Sequence, residues 1–508
     1  MTFSRSAGIL LHPTSLPGKH GMGEIGPHAR QWLTHLNTMS QKLWQVLPLG
    51  PTGYADSPYQ TLSTFAGNPM LISFDALREE NLLKEEDLKG FPALPEDRID
   101  YGPAILARTR VLEKVARSFP KRASPSLKTA FLAFEEKSSF WLEDFALFIS
   151  LKKHHGGGPW GNWPSPLVER DSSALRSARK EHAAKILETK VLQFLFYRQW
   201  DSLHSEAKQR GISIIGDIPI FVAHDSADVW CRPELFFLQP DGQPTVVAGV
   251  PPDYFSQTGQ RWGNPLYRWE NHAAEGFSWW ISRLKCSFEL YDIVRIDHFR
   301  GFAANWEIPV NEPTAINGKW TPGPGQKLFD AARLAIGELP IIAEDLGVIT
   351  PDVDALRDSL GYPGMRILQF AFGEDSPSPA FSPGTYPSNT VCYTGTHDND
   401  TTVGWYRNEA GQDSTRTPEQ IAKEQHRART YLSCDGSQIH WDMINLALRT
   451  PCHTAIYPLQ DVLGLGSEAR LNVPGREEEN WSWRFRWEQL TPEIEHRLFC
   501  LTHEAKRA

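Results

Sequence analysis

The chain is as informative for what it lacks as for what it contains. Its N-terminal run, Met1-Thr2-Phe3-Ser4-Arg5-Ser6-Ala7-Gly8-Ile9-Leu10-Leu11-His12-Pro13, has neither the apolar stretch nor the small-residue cleavage site of a secretory signal. No uninterrupted apolar run approaches the ~20 residues that cross a bilayer. Both absences predict a soluble, cytoplasmic protein. Positive charge is not in excess: the net charge of -9 argues against nucleic acid or an anionic membrane as partner and is compatible with a neutral substrate. Cysteine is sparse, with six residues and no C-x-x-C spacing, which predicts reduced, mostly buried thiols rather than disulfides or a zinc site. Histidine-rich metal spacings (His-x-His, His-Glu-x-x-His) are missing too, so neither metal nor cofactor is expected, although His12, His298 and His397 could each ligate one. Repeats and low-complexity tracts are absent.

Tryptophan, by contrast, is plentiful. There are 18, many beside Gly, Pro or polar residues, as in Gly158-Pro159-Trp160-Gly161-Asn162-Trp163-Pro164 and Arg261-Trp262-Gly263-Asn264-Pro265. Indole faces pack on the C–H faces of sugar rings, but most tryptophans in any enzyme are large core residues, and the core reading is the default for each one.

Eight short apolar runs punctuate the 508 residues, most of them followed at once by a polar or turn-forming residue. They are Ile9 to Leu11, Leu43 to Leu47, Ile212 to Ile215, Ile293 to Ile296, Ile341 to Ala343, Met365 to Phe370, Thr390 to Tyr393 and Thr454 to Tyr457. Runs without polar alternation suit parallel strands covered on both faces. Helical segments fall between several of them, such as His182 to Arg210 and Pro351 to Leu360, closed by Gly211 and Gly361; Thr350 and Pro351 make a good helix start. The pattern predicts an α/β fold, a single (β/α)8 barrel over 1–508, whose active face is the C-terminal strand ends. Roughly 160 residues separate the second and third runs, so a largely helical insertion is expected over 70–180, with candidate helices Ala104 to Ser118 and Ser126 to His154. A second insertion, 221–290, carries the Pro- and aromatic-rich stretch Val250 to Ser256, read as a lid or substrate platform within 246–262. The fifty or so residues after the last run suffice for closing helices but not for a β-sandwich domain.

Three carboxylates follow strand ends on that face. Cleaving a glycosidic bond with retention needs an ionised carboxylate to attack the anomeric carbon and a protonated one, about 5 Å away, to donate to the leaving oxygen. Asp297 suits the nucleophile because Arg295, two residues earlier on the strand, projects to the same side and favours its charged form. Glu344 suits the acid because it follows Ile341-Ile342-Ala343, an apolar setting that raises its pKa. Asp398, beside His397, is left to hold hydroxyls and stabilise a cationic transition state. Any one acid after a strand is more often a turn former or helix N-cap, and Asp345 competes with Glu344 for the acid role.

Four ordered segments, Gly216-Asp217-Ile218-Pro219, Arg295-Ile296-Asp297-His298, Ala343-Glu344-Asp345-Leu346-Gly347 and Thr396-His397-Asp398, resemble the marker regions of the α-amylase clan. Over nearly its whole length the chain is similar to the amylomaltases, or disproportionating enzymes, of glycoside hydrolase family 77. The likeness includes Gly8 to Gly18, Asp56-Ser57-Pro58-Tyr59-Gln60, Pro251 to Ser256 and Asn472-Val473-Pro474-Gly475; Leu471 stands where family members commonly have Met. The resemblance implies a 4-α-glucanotransferase. Such an enzyme cleaves an α-1,4-glucan and passes the segment held on its nucleophile to the 4-hydroxyl of glucose or another maltooligosaccharide, with cyclisation as a variant. By motif match Asp297 is the nucleophile, Glu344 the acid/base and Asp398 the stabiliser. Arg295, His298 and His397 hold the cleaved sugar; Tyr59, Asp217, Trp262 and Asn472 make further contacts, together with Asp253 and Tyr254 of the loop.

The rival readings are an α-amylase-like hydrolase, a noncatalytic glucan-binding barrel and an unrelated metal-dependent barrel. The missing β-sandwich and calcium loop count against the first, the retained carboxylates against the second, and the absence of metal-ligand spacing against the third. Monomer and dimer are both open.

Overall fold

Strands form where apolar runs are covered on both faces, and the computed structural model, which describes residues 4–252, 256–347, 349–373, 382–409, 416–476 and 478–508, has twelve of them. In chain order they are β1 (Ser6–Leu10), β2 (Leu43–Gln45), β3 (Ser213–Pro219), β4 (Val246–Val250), β5 (Gln260–Pro265), β6 (Ile293–Asp297), β7 (Ala304–Pro309), β8 (Lys319–Pro322), β9 (Ile341–Ala343), β10 (Gly364–Ile367), β11 (Thr390–Tyr393) and β12 (Thr454–Pro458). Eight of these make a wholly parallel sheet in the order β10-β11-β12-β1-β2-β3-β6-β9. The sheet closes on itself where the Ala343 amide of β9 donates to the Pro363 carbonyl at the mouth of β10, 2.9 Å away. The architecture is a (β/α)8 barrel, and the described residues after β12 contain helices and no strand.

Several strand ends differ from the pattern of the sequence: β1 begins at Ser6 and stops at Leu10, and β2 stops at Gln45 rather than Leu47. β3 continues through Gly216-Asp217 to Pro219, because its ladder with β6 runs from Ile215–Ile293 to Pro219–Asp297 and puts Asp217 opposite Arg295, whose charge meets its own. The sixth run is strand only to Ile367, and Leu368–Phe372 coils into a 3-10 helix. The start of β10 is pinned by Asp345, whose Oδ1 accepts the Met365 amide at 2.6 Å; a Cβ on Gly364 would lie 2.3 Å from Asp345 Oδ2, so only glycine fits.

Between β2 and β3 the chain passes through the helices Tyr101–Arg122, Pro125–Lys137, Ser139–His154 and Ala183–Gln209, among shorter turns. The stretch 126–154, one helix by its sequence pattern, is two: Ser138 leaves helical geometry (φ -97°, ψ 8°), and aromatic residues from both halves meet the long helix. Phe119 and Phe131 pack edge-on to Phe194 at 6.0 and 5.6 Å, and Trp141 lies 6.1 Å from Tyr197. The same helix clamps the loop after Tyr59. Buried Gln193 exchanges hydrogen bonds with Gly67 N and O (2.8 and 2.9 Å), and Gln199 does so with Ser73 N and O (2.7 and 3.3 Å).

A second, antiparallel sheet, β5-β4-β7-β8, has no counterpart in the sequence pattern. It joins strands from two separate crossovers around a small core of Val247, Ile308 and Ala315. The stretch 246–262, read from sequence as a loop, therefore contains β4 and the first half of β5, while residues 253–255 lie outside the described residues. All six cysteines are free, but only Cys392 and Cys452 are buried and the other four are half-buried, a lower burial than the composition suggests. Trp160 and Trp163 are core residues. No described helix is long and apolar enough to cross a membrane.

Gly216 is the tightest point beside the site: a Cβ there would meet the buried Tyr291 ring at 2.1 Å. Gly216→Ala is expected to lower unfolding stability by about 1–3 kcal/mol through overpacking, measured by denaturant titration against the parent.

Candidate active site

The site grows from the register of three neighbouring barrel strands. β3 and β6 set Asp217 beside Arg295, and β6 and β9 set Ile296 beside Ala343. Side chains two apart on a strand share a face, so Arg295 and Asp297 point into the same end of the barrel. Past the strands the ladder continues: the Glu344 amide donates to the Ile296 carbonyl and the Phe299 amide to the Glu344 carbonyl, both at 3.1 Å, which brings Glu344 level with Asp297.

Arg295 is a fork between two acids. Its Nη1 donates to Asp217 Oδ2 at 2.6 Å and its Nη2 to Asp297 Oδ1 at 2.8 Å. Burial opposes its charge, yet Asp217 and then Asp297 overcome that penalty and hold the guanidinium pKa well above its ordinary value. The Asp297 side chain keeps 32 % of its surface exposed, so it is paired on one side and open on the other.

Glu344 sits in a different environment. His298, in left-handed geometry (φ 54°, ψ 49°), turns its backbone amide onto Glu344 Oε2 at 2.7 Å, and the Leu346 amide reaches Oε1 at 2.7 Å. These bonds and nearby Arg295 favour ionisation, but burial and the Asp297 charge outweigh them and raise the Glu344 pKa to about 7. Asp345, the rival by sequence, is committed elsewhere: it pairs with Arg357 at 2.5 Å and Arg366 at 3.4 Å besides holding the Met365 amide.

Asp398 is held for charge. His397 Nε2 lies 3.3 Å from its Oδ2, and Asn472 Nδ2 donates to its Oδ1 at 2.6 Å. Partial removal from water works against ionisation of its side chain, which is 48 % exposed, but His397, then Asn472 and Arg295, prevail and place its pKa well below the usual carboxylate range. Burial lowers the His397 pKa and Asp398 more than restores it, leaving it raised. The imidazole also stacks on Tyr59, with ring centroids 5.0 Å apart, and the Tyr59 hydroxyl donates to Asp217 Oδ2 at 2.8 Å. Trp262, on β5, meets the His298 ring edge-on at 4.7 Å.

The described residues that the resemblance assigns to the site thus join one network: Asn472, Asp398, His397, Tyr59, Asp217, Arg295 and Asp297 in succession, with Glu344, His298 and Trp262 alongside. Asp253 and Tyr254 lie outside the described residues. Sequence reasoning missed two neighbours and named a third, His12, only as a possible metal ligand. Arg470 donates from Nη2 to the Asp398 carbonyl and from Nε to the Asn472 carbonyl, each at 2.8 Å. Trp481 lies 6.0 Å from the Tyr59 ring and 5.9 Å from His397. Buried His12, its pKa pushed down to about 3 by burial and then by His397, lies beside the site. The adjacency of Asn472 to Arg470 and the run Asn480-Trp481-Ser482-Trp483 were the available signals. Among the described residues a grouping with metal-ligand proximity is found at His154, Glu181 and His182, on the helical insertion.

Three polar atoms around the network, Asp217 Oδ1, His298 Nε2 and His12 Nδ1, are buried with no hydrogen-bond partner among the described residues. Buried polar atoms left unpaired are rare and call for a partner from outside the chain, an ordered water or a ligand group.

Comparison with known proteins converges on one family. The family profile described as 4-alpha-glucanotransferase, glycoside hydrolase family 77, matches residues 11–491. The 4-alpha-glucanotransferase of Thermus thermophilus is 51% identical over 100% of both chains. That of Synechocystis sp. is 46% identical over 99% of this chain and 98% of its own. Among solved structures, an amylomaltase from Streptococcus agalactiae in complex with acarbose superposes with a TM-score of 0.93 at 38% identity, covering 99% of this chain and 100% of that one.

Because Arg295 serves two buried or half-buried acids, removing it strands both. Arg295→Met is expected to cost about 3–5 kcal/mol of stability at neutral pH, and adding Asp217→Asn to restore part of that loss, as read from denaturation midpoints.

Proposed function

Because the chain belongs to the 4-alpha-glucanotransferases of glycoside hydrolase family 77, we propose that its strand-end acids carry a double displacement on α-1,4-glucans. The observation that carries the reading is the contrast between two neighbouring carboxylates: Asp297 paired with Arg295, and Glu344 holding its proton up to about pH 7.

In the first displacement an Asp297 oxygen attacks the anomeric carbon, forming an acylal C–O bond as the glycosidic C1–O4 bond breaks. The proton of Glu344 goes to the departing O4. In the second, the 4-hydroxyl of glucose or a maltooligosaccharide gives its proton to the Glu344 carboxylate while its oxygen attacks C1 and frees Asp297. Two inversions leave the anomeric configuration retained. Asp398, kept ionised by His397 and Asn472, supplies negative charge to the oxocarbenium-like transition state. The unpaired atoms of Asp217, His298 and His12 take sugar hydroxyls, and Trp262 and Tyr59 wall the ring. Water and a sugar acceptor enter the same intermediate through the same base, so preference for the sugar belongs to acceptor contacts and to the exclusion of water, a role assigned to the 250–256 loop with Asp253 and Tyr254. No step calls for a metal. The donors are starch- or glycogen-derived chains, and the place of action is the cytoplasm.

Incubated with maltotriose and no added metal, the protein is expected to give glucose and a ladder of longer maltooligosaccharides. Only shorter products would make it a hydrolase, and no change would make it a binding protein. Asp297→Asn should reduce the ladder roughly a thousandfold or more while leaving the melting temperature near the parent's. Glu344 must be protonated to donate, so kcat/KM for the donor is expected to be level below about pH 7 and to fall tenfold per unit above it. A falling limb set by an acid of ordinary pKa would remove Glu344 from the role.

A further inference from the structure

The loop that leaves β11 carries His397 and Asp398, and both of its ends are held by one residue of the next crossover. Asp461, on the short helix Leu459–Leu463 after β12, is 1% exposed. Three donors reach its carboxylate, and all belong to the neighbouring loop rather than to its own helix. Thr394 Oγ1 donates to Oδ2 at 2.5 Å, Thr402 Oγ1 to the same oxygen at 2.8 Å, and the Thr402 amide to Oδ1 at 2.7 Å. Thr394 is the first residue past β11, and Thr402 opens the helix Thr402–Arg407. One carboxylate therefore spans the stretch 395–401 from end to end.

These bonds differ from the other grips on the loop. Ser467 donates to Asp400 and Asn472 to Asp398, each at 2.6 Å, but both come from a half-buried segment, where water can stand in for a lost partner. Thr394 and Thr402 are fully buried. A donor unpaired at that depth bears its whole desolvation penalty, and a buried carboxylate is tolerated only where donors replace water. The dependence is mutual: the acid needs both threonines, and through the acid the ends of the loop are tied to the crossover after β12. Inside the loop, Asn399 Oδ1 accepts from the Thr396 amide and hydroxyl, each at 2.9 Å, which stiffens the turn and carries the position of its ends to Asp398.

We propose that Asp461 is a positioning residue for glycosyl transfer, which by clamping Thr394 and Thr402 keeps Asp398 at the place where its charge meets the developing cation. The inference rests on the double-displacement reading of the site and deepens it, since it identifies what holds the stabilising acid in register with Asp297. Buried beneath the loop, Asp461 works through Asp398 and its partner His397. The charge of Asp398 counts most once positive charge has developed on the sugar, so misplacing it weakens the transition state more than the bound donor. The loss then falls on kcat rather than on KM.

The test uses the full chain with α-maltotriosyl fluoride as donor, whose fluoride release measures slow variants as well as the parent. Asp461→Ala is expected to lower kcat about 10- to 100-fold with KM within about twofold of the parent's. Asp461→Asn keeps the shape and an acceptor for the Thr402 amide, and should recover most of that loss. Thr394→Val removes one hydroxyl at nearly constant volume and is expected to lower kcat about three- to tenfold, which keeps the test available should Asp461→Ala not fold. In the Asp398→Ala background, where the stabilising charge is already gone, each change should lower kcat by less than about twofold. A near-parent kcat in Thr394→Val, or in a folded Asp461→Ala, would overturn the proposal. So would losses of undiminished size in the Asp398→Ala background, the mark of a residue that serves only the fold. A parent that gave only shorter sugars from maltotriose would instead count against the transferase reading, because fluoride release is scored whether a sugar or water takes the segment.

Discussion

A single buried guanidinium organises the active end of this barrel. Arg295 sits between Asp217 and Asp297 and donates a separate N–H to each. The planar fork matters: an ammonium in its place is one point charge and cannot address two acids in two directions. Through Asp217 the same interaction reaches Tyr59, and through the Tyr59 ring it reaches His397 and Asp398 on the far side of the barrel. Charge burial on this scale is costly unless every member is paired, so the strands carrying these residues are held in one register by the pairs themselves.

That frame lets three carboxylates diverge. Asp297 has a cation in contact. Asp398 has an imidazole and an amide. Glu344 accepts from two backbone amides at the end of an apolar strand, and burial, then the Asp297 charge, push it up toward neutrality. One of those amides is aimed by the left-handed backbone of His298, a conformation that costs a non-glycine residue about 1–2 kcal/mol. Local strain immediately after Asp297 is thus converted into contact with the neighbouring acid, and it keeps the two residues in fixed relation.

The helical insertion does more than lengthen the chain. Gln193 and Gln199 satisfy the backbone of the loop that follows Tyr59, and Asp228 secures Thr64 in the same stretch. A residue far from any barrel strand in sequence is thereby given a definite place in the site. The aromatic seam on Phe194 and Tyr197 anchors the insertion.

Much of this was legible in the residues themselves. Eight apolar runs located the eight barrel strands, because parallel strands covered on both faces must be apolar throughout. The two-residue spacing of Arg295 and Asp297 fixed their common direction, because side chains alternate along a strand. The apolar run before Glu344 announced its raised pKa, and Pro351 with Gly361 bounded a helix that the structure places at Pro351–Leu360. Other features depended on partners distant in the chain. The antiparallel sheet needs β4 and β5 to meet β7 and β8 from another crossover, and no local periodicity encodes that meeting. β3 runs past Asp217 only because Arg295 stands opposite it. Asp345 is excluded from the acid role by Arg357, and Arg470 enters by gripping two backbone carbonyls, an interaction without any pattern in sequence. The sequence by itself determined which side chains are candidates for the chemistry and the direction each leaves its strand; the tertiary structure decided which charges meet, since pairing energies in a buried site depend on distances of a few ångströms that only the closed barrel sets.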